Sequence, residues 1–443
     1  MSMRPRAAMP PLLAYLQGRI VTLTLLSLGV SVAMTWSHHT LRPWGIPMMW
    51  GRDVGFDFYL FRDRFLLFGK PNLWQDGGFP MTYPAFTGVV FGLLYKLAHP
   101  LRDYLALCLL ALAGWCVWLV RQLRSQTVSA PAAVGFTLMF VLCCWPLWFL
   151  FDSGNIEGLA VIASGAGLLA FVARRWTWAA GLFAVAGALK IFPLVLLALL
   201  LSRRRYREFA GGMVLAIGLT AASLAMLGPT IAEAQRHIDE GFAINLAMYG
   251  LAVTPPMLDA HHSFFSLVKM AVILSHHRHL YDPVTTTSAA LETVRQADAA
   301  MLATPLNVYL GAAAFAGVAL YFLRIRHLPM LNQILAVTIC AVTLPPLSMD
   351  YTLAHLLVPF GLLCVYAAHL WRTARIAAGL RACLLCCAFV FTTAAYWNLR
   401  YPLSSACRAM ALLLLLLVAL RYPFSWLELD TSTNIAPQVS AHV

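Results

Sequence analysis

The chain has little charge. Of its 443 residues 11% are charged and 61% hydrophobic, and the mean hydropathy is +0.75. Soluble domains carry about 25% charged residues, so a water-facing globule is excluded. There is no phosphate-cradling G-x-x-x-x-G-K-[ST] loop, no strict G-x-G-x-x-G fingerprint and no H-E-x-x-H motif. Transport fuelled by nucleotide is therefore unsupported. None of the ten cysteines lies in a polar loop, which argues against a disulfide framework. Cys383 and Cys386 have C-x-x-C spacing, but within a Leu-rich run, where they read as small buried hydrophobes rather than a redox or metal pair. No small-x-small cleavage site follows the apolar run 20–36, which Arg4, Arg6 and Arg19 precede, so it reads as an uncleaved first helix.

What the chain does have is repeated apolar runs of membrane-spanning length. They predict an all-α, polytopic membrane protein of about 12 transmembrane helices in one domain over 1–430. A polar tail, 431–443, reads as disordered and cytoplasmic. Expected spans are about 19–36, 103–120, 131–151, 157–173, 176–190, 191–202, 209–228, 304–323, 328–346, 351–370, 377–396 and 405–420. Two long loops, about 37–100 and 229–303, separate them. Segment 82–98 is short and opens on Tyr-Pro, so it is expected to dip into the bilayer rather than cross. Arginines such as Arg121, Arg124, Arg174, Arg175, Arg203, Arg204 and Arg205 then share one side with the N-terminus, and most acids lie on the other. The positive-inside rule makes the first side cytoplasmic and turns both long loops outward. With no endoplasmic-reticulum retrieval signal, a bacterial inner membrane is expected, with a periplasmic active site.

Polar islands in this background are where chemistry can sit. Asp57 lies among Phe56, Phe58, Tyr59 and Phe61. An acid in such a setting is either solvated or partly dry; a dry carboxylate is a stronger base. The run Phe151-Asp152-Ser153-Gly154-Asn155-Ile156-Glu157-Gly158 breaks two spans, either as a capped loop or as a site. Lys190 interrupts an apolar run just before Pro193. Such a lysine either snorkels to the surface or binds an anion such as phosphate. His261 and His262 adjoin one another in the second loop. Adjacent histidines rarely hold one ion together, so a substrate contact or a wet loop is preferred to a metal site. Asp350 sits at another outer break, Pro345-Pro346-Leu347-Ser348-Met349-Asp350-Tyr351, with His355 on the same helical face as Tyr351.

In this order the islands resemble the GT-C membrane glycosyltransferases, and most nearly family 87, the polyprenyl-phosphate-mannose-dependent type. Such proteins carry an Asp closely followed by Tyr, then a Gly and a Tyr-Pro segment, matched here by Asp57, Tyr59, Gly69 and Tyr83-Pro84. A small Gly-Asn motif is matched by Gly154-Asn155, and a Lys-aromatic-Pro motif by Lys190-Ile191-Phe192-Pro193. The resemblance covers roughly 50–210. It departs from the family where Gly55 stands in place of a second acid and Ala85 in place of a second proline. It implies transfer of a hexosyl residue, by family mannosyl, from a polyprenyl-phosphate sugar to a lipid or glycan acceptor, with no cofactor, metal or nucleic acid. Asp57 would be the base and Lys190 a ligand of the leaving phosphate, with Arg62 or Arg64 as helper. Asn155, Tyr59, Tyr83, His261, His262 and Asp350 would complete the substrate site. Two alternatives remain at this stage. An O-antigen-type polymerase or ligase would rely on Arg236, Arg278 and Arg295 in the second loop; a lipid transporter would need inverted repeats, and none is evident.

Overall fold

The computed structural model describes residues 55–70, 73–74, 80–251, 261–275, 288–372, 378–391 and 403–424. The expected first helix at 19–36, the start of the first loop, Arg278 and the tail 431–443 lie outside the described residues. Among those described, every regular element is helical, and the sole extended pairing is an isolated bridge between His261 and Met349.

Four helices are long and apolar enough to cross a membrane: Pro100–Ser125, Tyr206–Leu227, Gln296–His327 and Asp350–Leu370. A fifth candidate is the pair Ala130–Leu142 and Trp145–Ser153, bent by 52° where Pro146 opens the second helix. The other apolar helices are shorter, among them Ala85–Leu94, Glu157–Val172, Trp176–Leu189, Phe192–Ser202 and Met330–Thr343. At 1.5 Å per residue a 14-residue helix is about 21 Å long, against about 30 Å of hydrocarbon. Among the described residues four helices, or five with the bent pair, have spanning length, fewer than the expected twelve, because the chain breaks inside several of its apolar runs.

One of these breaks shapes the site. Trp176–Leu189 ends at Lys190, which is extended (φ −143°, ψ 131°), and Pro193 starts a separate 3-10 turn, Phe192–Leu197. The Leu189 carbonyl freed by the break accepts a hydrogen bond from Thr87 Oγ1 at 2.5 Å. Glu157–Val172 and Trp176–Leu189 pack as a tight hairpin of small residues, with Ala160, Ala179, Ala180 and Ala184 fully enclosed and Gly167 against the Phe183 ring. Small side chains let membrane helices approach closely without a hydrophobic drive. The hairpin turn places Arg174 in the left-handed region (φ 58°), and Arg175 N donates to Ala170 O at 2.8 Å, the bonding of a Schellman cap.

Met330–Thr343 is the central helix, with all its residues buried. Asn332 ties it to the C-terminal helix Leu403–Arg421, donating to Ala419 O (2.6 Å) and Tyr422 O (2.7 Å) and accepting from Phe424 N (2.7 Å). By contrast Leu110, Val214, Phe315 and Leu323 are about as exposed as side chains become, and they point outward from the long helices as hydrocarbon contacts would require. The first loop packs around an aromatic core of Phe58, Phe61, Phe65 and Phe91, with Tyr104 supplied by Pro100–Ser125.

Candidate active site

Two glycines dock the first loop onto the break at 151–158. Gly55 has φ +80° and its N–H donates to Asp152 O at 2.7 Å; Gly154 has φ +63°. A Cβ on Gly154 would lie 2.9 Å from the Gly55 Cα, so the two backbones touch. This contact brings Asp57, in the one-turn helix Phe56–Tyr59, against Asn155.

Asn155 is fully buried and bonds through both amide hydrogens and its side-chain oxygen. Its Nδ2 donates to Asp57 Oδ2 (2.9 Å) and Tyr83 Oη (3.0 Å), and its Oδ1 accepts from Glu157 N (2.9 Å). Tyr104 Oη donates to the Asn155 carbonyl. Burial pushes the Asp57 carboxyl above the usual carboxylate range, against the opposing pull of the Asn155 amide, the Lys190 charge and the Ser153 hydroxyl.

Lys190 stands across the site. Its Nζ lies 3.1 Å from Glu157 Oε2 and 4.1 Å from the centre of the Tyr83 ring. Glu157, with no exposed surface, also bonds His355 Nε2 through Oε1 at 2.7 Å, and His355 Nδ1 meets Ser164 Oγ at 2.7 Å.

Asp57, Tyr83, Asn155, Glu157 and Lys190 line the polar end of one cavity of about 1610 Å³. Pockets for drug-sized ligands occupy about 300–1,000 Å³, so this space is large enough for a long ligand. Most of its wall is apolar. Val195, Ala198 and Leu201 contribute to it, as do Ala313, Ala314, Gly317 and Val318 of Ser288–Leu323. Those last four recur at i, i+1, i+4, i+5, one face of a helix, and their small size leaves the volume open.

The remaining expected site residues lie elsewhere. Tyr59 is exposed and does not line the cavity. Arg62 is exposed; Arg64 is buried, donating to Leu73 O at 3.1 Å and covering the Trp74 ring. Arg236, on which the polymerase reading relied, is exposed away from the cavity. His261, His262 and Asp350 form a second, fully buried group behind the cavity wall. His262 Nδ1 is 3.3 Å from Asp350 Oδ1, and Arg408 reaches Asp350 Oδ2 at 2.5 Å. His262 Nε2 meets Ser348 Oγ (3.0 Å) and Thr352 Oγ1 (3.3 Å), and Thr352 does line the cavity. Burial holds both imidazoles below their ordinary range, which keeps them neutral near pH 7. No three His, Cys, Asp or Glu side chains converge as a metal cluster among the described residues.

Sequence reasoning missed three partners. Glu157 was visible only as the end of a polar break, and His355 only as a neighbour of Tyr351 on its helix. Arg408, a lone charge in the apolar run of Leu403–Arg421, carried a readable signal, since intramembrane charges are costly and pair with one another.

No curated protein and no solved structure matches the chain. Its residues 81–348, more than half of the sequence, match glycosyltransferase family 87; that stretch includes Tyr83, Asn155, Glu157 and Lys190 but begins after Asp57. Long apolar helices, a cavity with a charged end and this match together place the chain in glycosyltransferase family 87, a membrane enzyme of glycosyl transfer.

Proposed function

We propose that the enzyme moves a hexosyl residue, mannosyl by family resemblance, from a polyprenyl-phosphate sugar to a lipid or glycan acceptor at the extracytoplasmic face of a plasma membrane. The fold is then of the GT-C type, with about twelve passes once the shorter helices are counted and a cytoplasmic N-terminus. The observation that carries the reading is one cavity with a carboxylate and an ammonium at its polar end and a long apolar wall. A polyprenyl tail needs such a wall, and a phosphate head needs the ammonium.

In the proposed reaction Asp57 takes the proton of an acceptor hydroxyl as that oxygen bonds to the sugar C1. The C1–O bond to phosphate breaks, and its electron pair stays on the phosphate oxygen, where Lys190 stabilises the charge. Asn155 holds the Asp57 carboxylate in place, and Tyr83 fixes both Asn155 and Lys190. One base suffices, because phosphate departs without the acid that glycosidases require.

The test compares transfer of labelled sugar from a synthetic polyprenyl-phosphate sugar by wild type and Asp57→Asn at matched protein levels. Transfer is expected to fall about 10²–10⁴-fold while donor binding persists. Undiminished transfer in the Asn variant removes Asp57 from the mechanism. Failure of wild type to use any polyprenyl-phosphate sugar removes the donor class.

A further inference from the structure

Glu157 and His355 lie beside the phosphate ligand assigned above, and the reaction as written does not use them. Resting on that reading of the donor, we propose that binding of its phosphodiester head group at Lys190 is coupled to the uptake of one proton from solvent by the buried Glu157–His355 pair.

The argument begins with charge. Glu157 is completely buried, and the two partners that answer its charge are Lys190 at 3.1 Å and His355 at 2.7 Å. The Lys190 contact is an ion pair at 3.1 Å, and the same ammonium lies over the Tyr83 ring at 4.1 Å. A phosphodiester arriving in the cavity brings one negative charge to an ammonium already neutralised by Glu157. Lys190 cannot balance both anions. The excess charge falls on a carboxylate with no access to bulk water, which is strongly unfavourable. Protonation of His355 restores neutrality: lysine with phosphate, imidazolium with Glu157.

The bonding around His355 suits both protonation states. A carboxylate only accepts, so Nε2 carries a hydrogen and donates to Glu157 Oε1 in either state. In the neutral ring, Nδ1 accepts from the Ser164 hydroxyl at 2.7 Å. In the charged ring, Nδ1–H donates to the Ser164 oxygen, and the hydroxyl hydrogen turns to Val161 O, 3.2 Å away. Ser164 thus changes from donor to acceptor without losing a bond.

The other titratable groups facing this pair are Asp57, Tyr83, Tyr104, Cys108, Tyr249 and Tyr351, from the first loop and the neighbouring helices. The tyrosines and the thiol ordinarily titrate above neutrality and are uncharged there. Asp57 is the one competitor for the proton, and Asp57→Asn removes it along with turnover.

The experiment is therefore made in the Asp57→Asn enzyme with a short-chain polyprenyl phosphomannose diester, which keeps one charge at all working pH values. Calorimetry in two buffers of different ionisation enthalpy counts protons exchanged on binding, and Kd is followed from about pH 6 to about pH 9. The expected result is uptake approaching one proton, with Kd weakening up to about tenfold per pH unit on the alkaline side. Adding His355→Gln, whose amide keeps the bond to Glu157 but cannot charge, abolishes uptake and flattens the Kd profile. Adding Glu157→Gln instead frees Lys190 from its competitor, so the diester binds more tightly and independently of pH; a merely structural Glu157 would give weaker binding. Diester binding with no proton exchange, or uptake that survives His355→Gln, overturns the coupling and leaves the donor assignment standing. No diester binding at all overturns the donor assignment and the coupling with it.

Discussion

The Asn155→Ala enzyme tests the site at its centre. Asn155 Nδ2 supports the Asp57 carboxylate at 2.9 Å in surroundings that otherwise push the Asp57 carboxyl upward. A hydrogen bond to a charged group contributes about 1.5–3 kcal/mol. It stabilises the ionised form more than the neutral one, so its loss raises the carboxyl further. At about 1.36 kcal/mol per unit, the acid limb of the pH–kcat/KM profile moves up by roughly one to two pH units. The sign is fixed by the role. A base works when deprotonated, so activity falls as pH falls through the raised value, and the variant loses activity at a higher pH than wild type. At alkaline pH it recovers part of its rate, the remaining deficit reflecting a carboxylate no longer held in place. Tyr83 Oη and Glu157 N lose partners as well, so a lower unfolding temperature in detergent accompanies the kinetic change. The assay is sugar transfer across a pH series at matched protein levels. An acid limb that stays in place, or moves to lower pH, refutes the assignment of the wild-type limb to an Asn155-supported Asp57.

Two further outcomes follow from the same contacts. Gly154→Ala forces a Cβ to within 2.9 Å of the Gly55 backbone at a left-handed φ, so it is expected to lose more than about 2 kcal/mol and most transfer activity, whereas Gly69→Ala, also left-handed but with open space around it, loses only about 1 kcal/mol in the same thermal assay. Equal losses at the two glycines would show that the 55–154 contact does not hold the loop. Arg408→Met strands Asp350 in a buried setting and is expected to cost about 3–5 kcal/mol, much of it recovered when Asp350→Leu is added; a double variant no more stable than the single one would contradict the pairing.

The helical membrane character was legible because it rests on composition and run length, which no tertiary contact can reverse. The span count was less so: the break at Lys190 and Pro193 was legible, but apolar runs read as spans at 157–173, 176–190, 191–202 and 328–346 form helices shorter than the hydrocarbon thickness. Asp57, Asn155 and Lys190 stood out as polar residues in apolar surroundings, although 98 positions separate the first two. Tyr59 drew notice through its closeness to Asp57 in the motif. Two residues along a helix are about 200° around its axis, so one points to the cavity and the other to the exterior. Arg62 and Arg64 part in the same way. The Glu157–His355 bond spans 198 residues and joins groups that, taken singly, look like a loop acid and a core histidine. Nothing local marks such a pair; only the packing of Asp350–Leu356 against Glu157–Val172 brings it together.

That pairing also accounts for a cation held in this position at all. An ammonium at the end of a mostly apolar cavity is costly to keep unpaired, yet an ammonium fully bonded within the protein has no affinity left for a phosphate. A buried carboxylate 3.1 Å away that is shared with His355 meets both conditions in the proposed reaction. The ring of Tyr83 faces the same ammonium at 4.1 Å, and its hydroxyl accepts a hydrogen bond from Asn155, which in turn holds Asp57. Asp57 and Lys190, the base and the phosphate ligand of the proposed reaction, are thus set by one connected network rather than by separate loops. The long apolar wall contributes no charge to this network. It excludes water, and so strengthens every interaction at the polar end on which the proposed transfer depends.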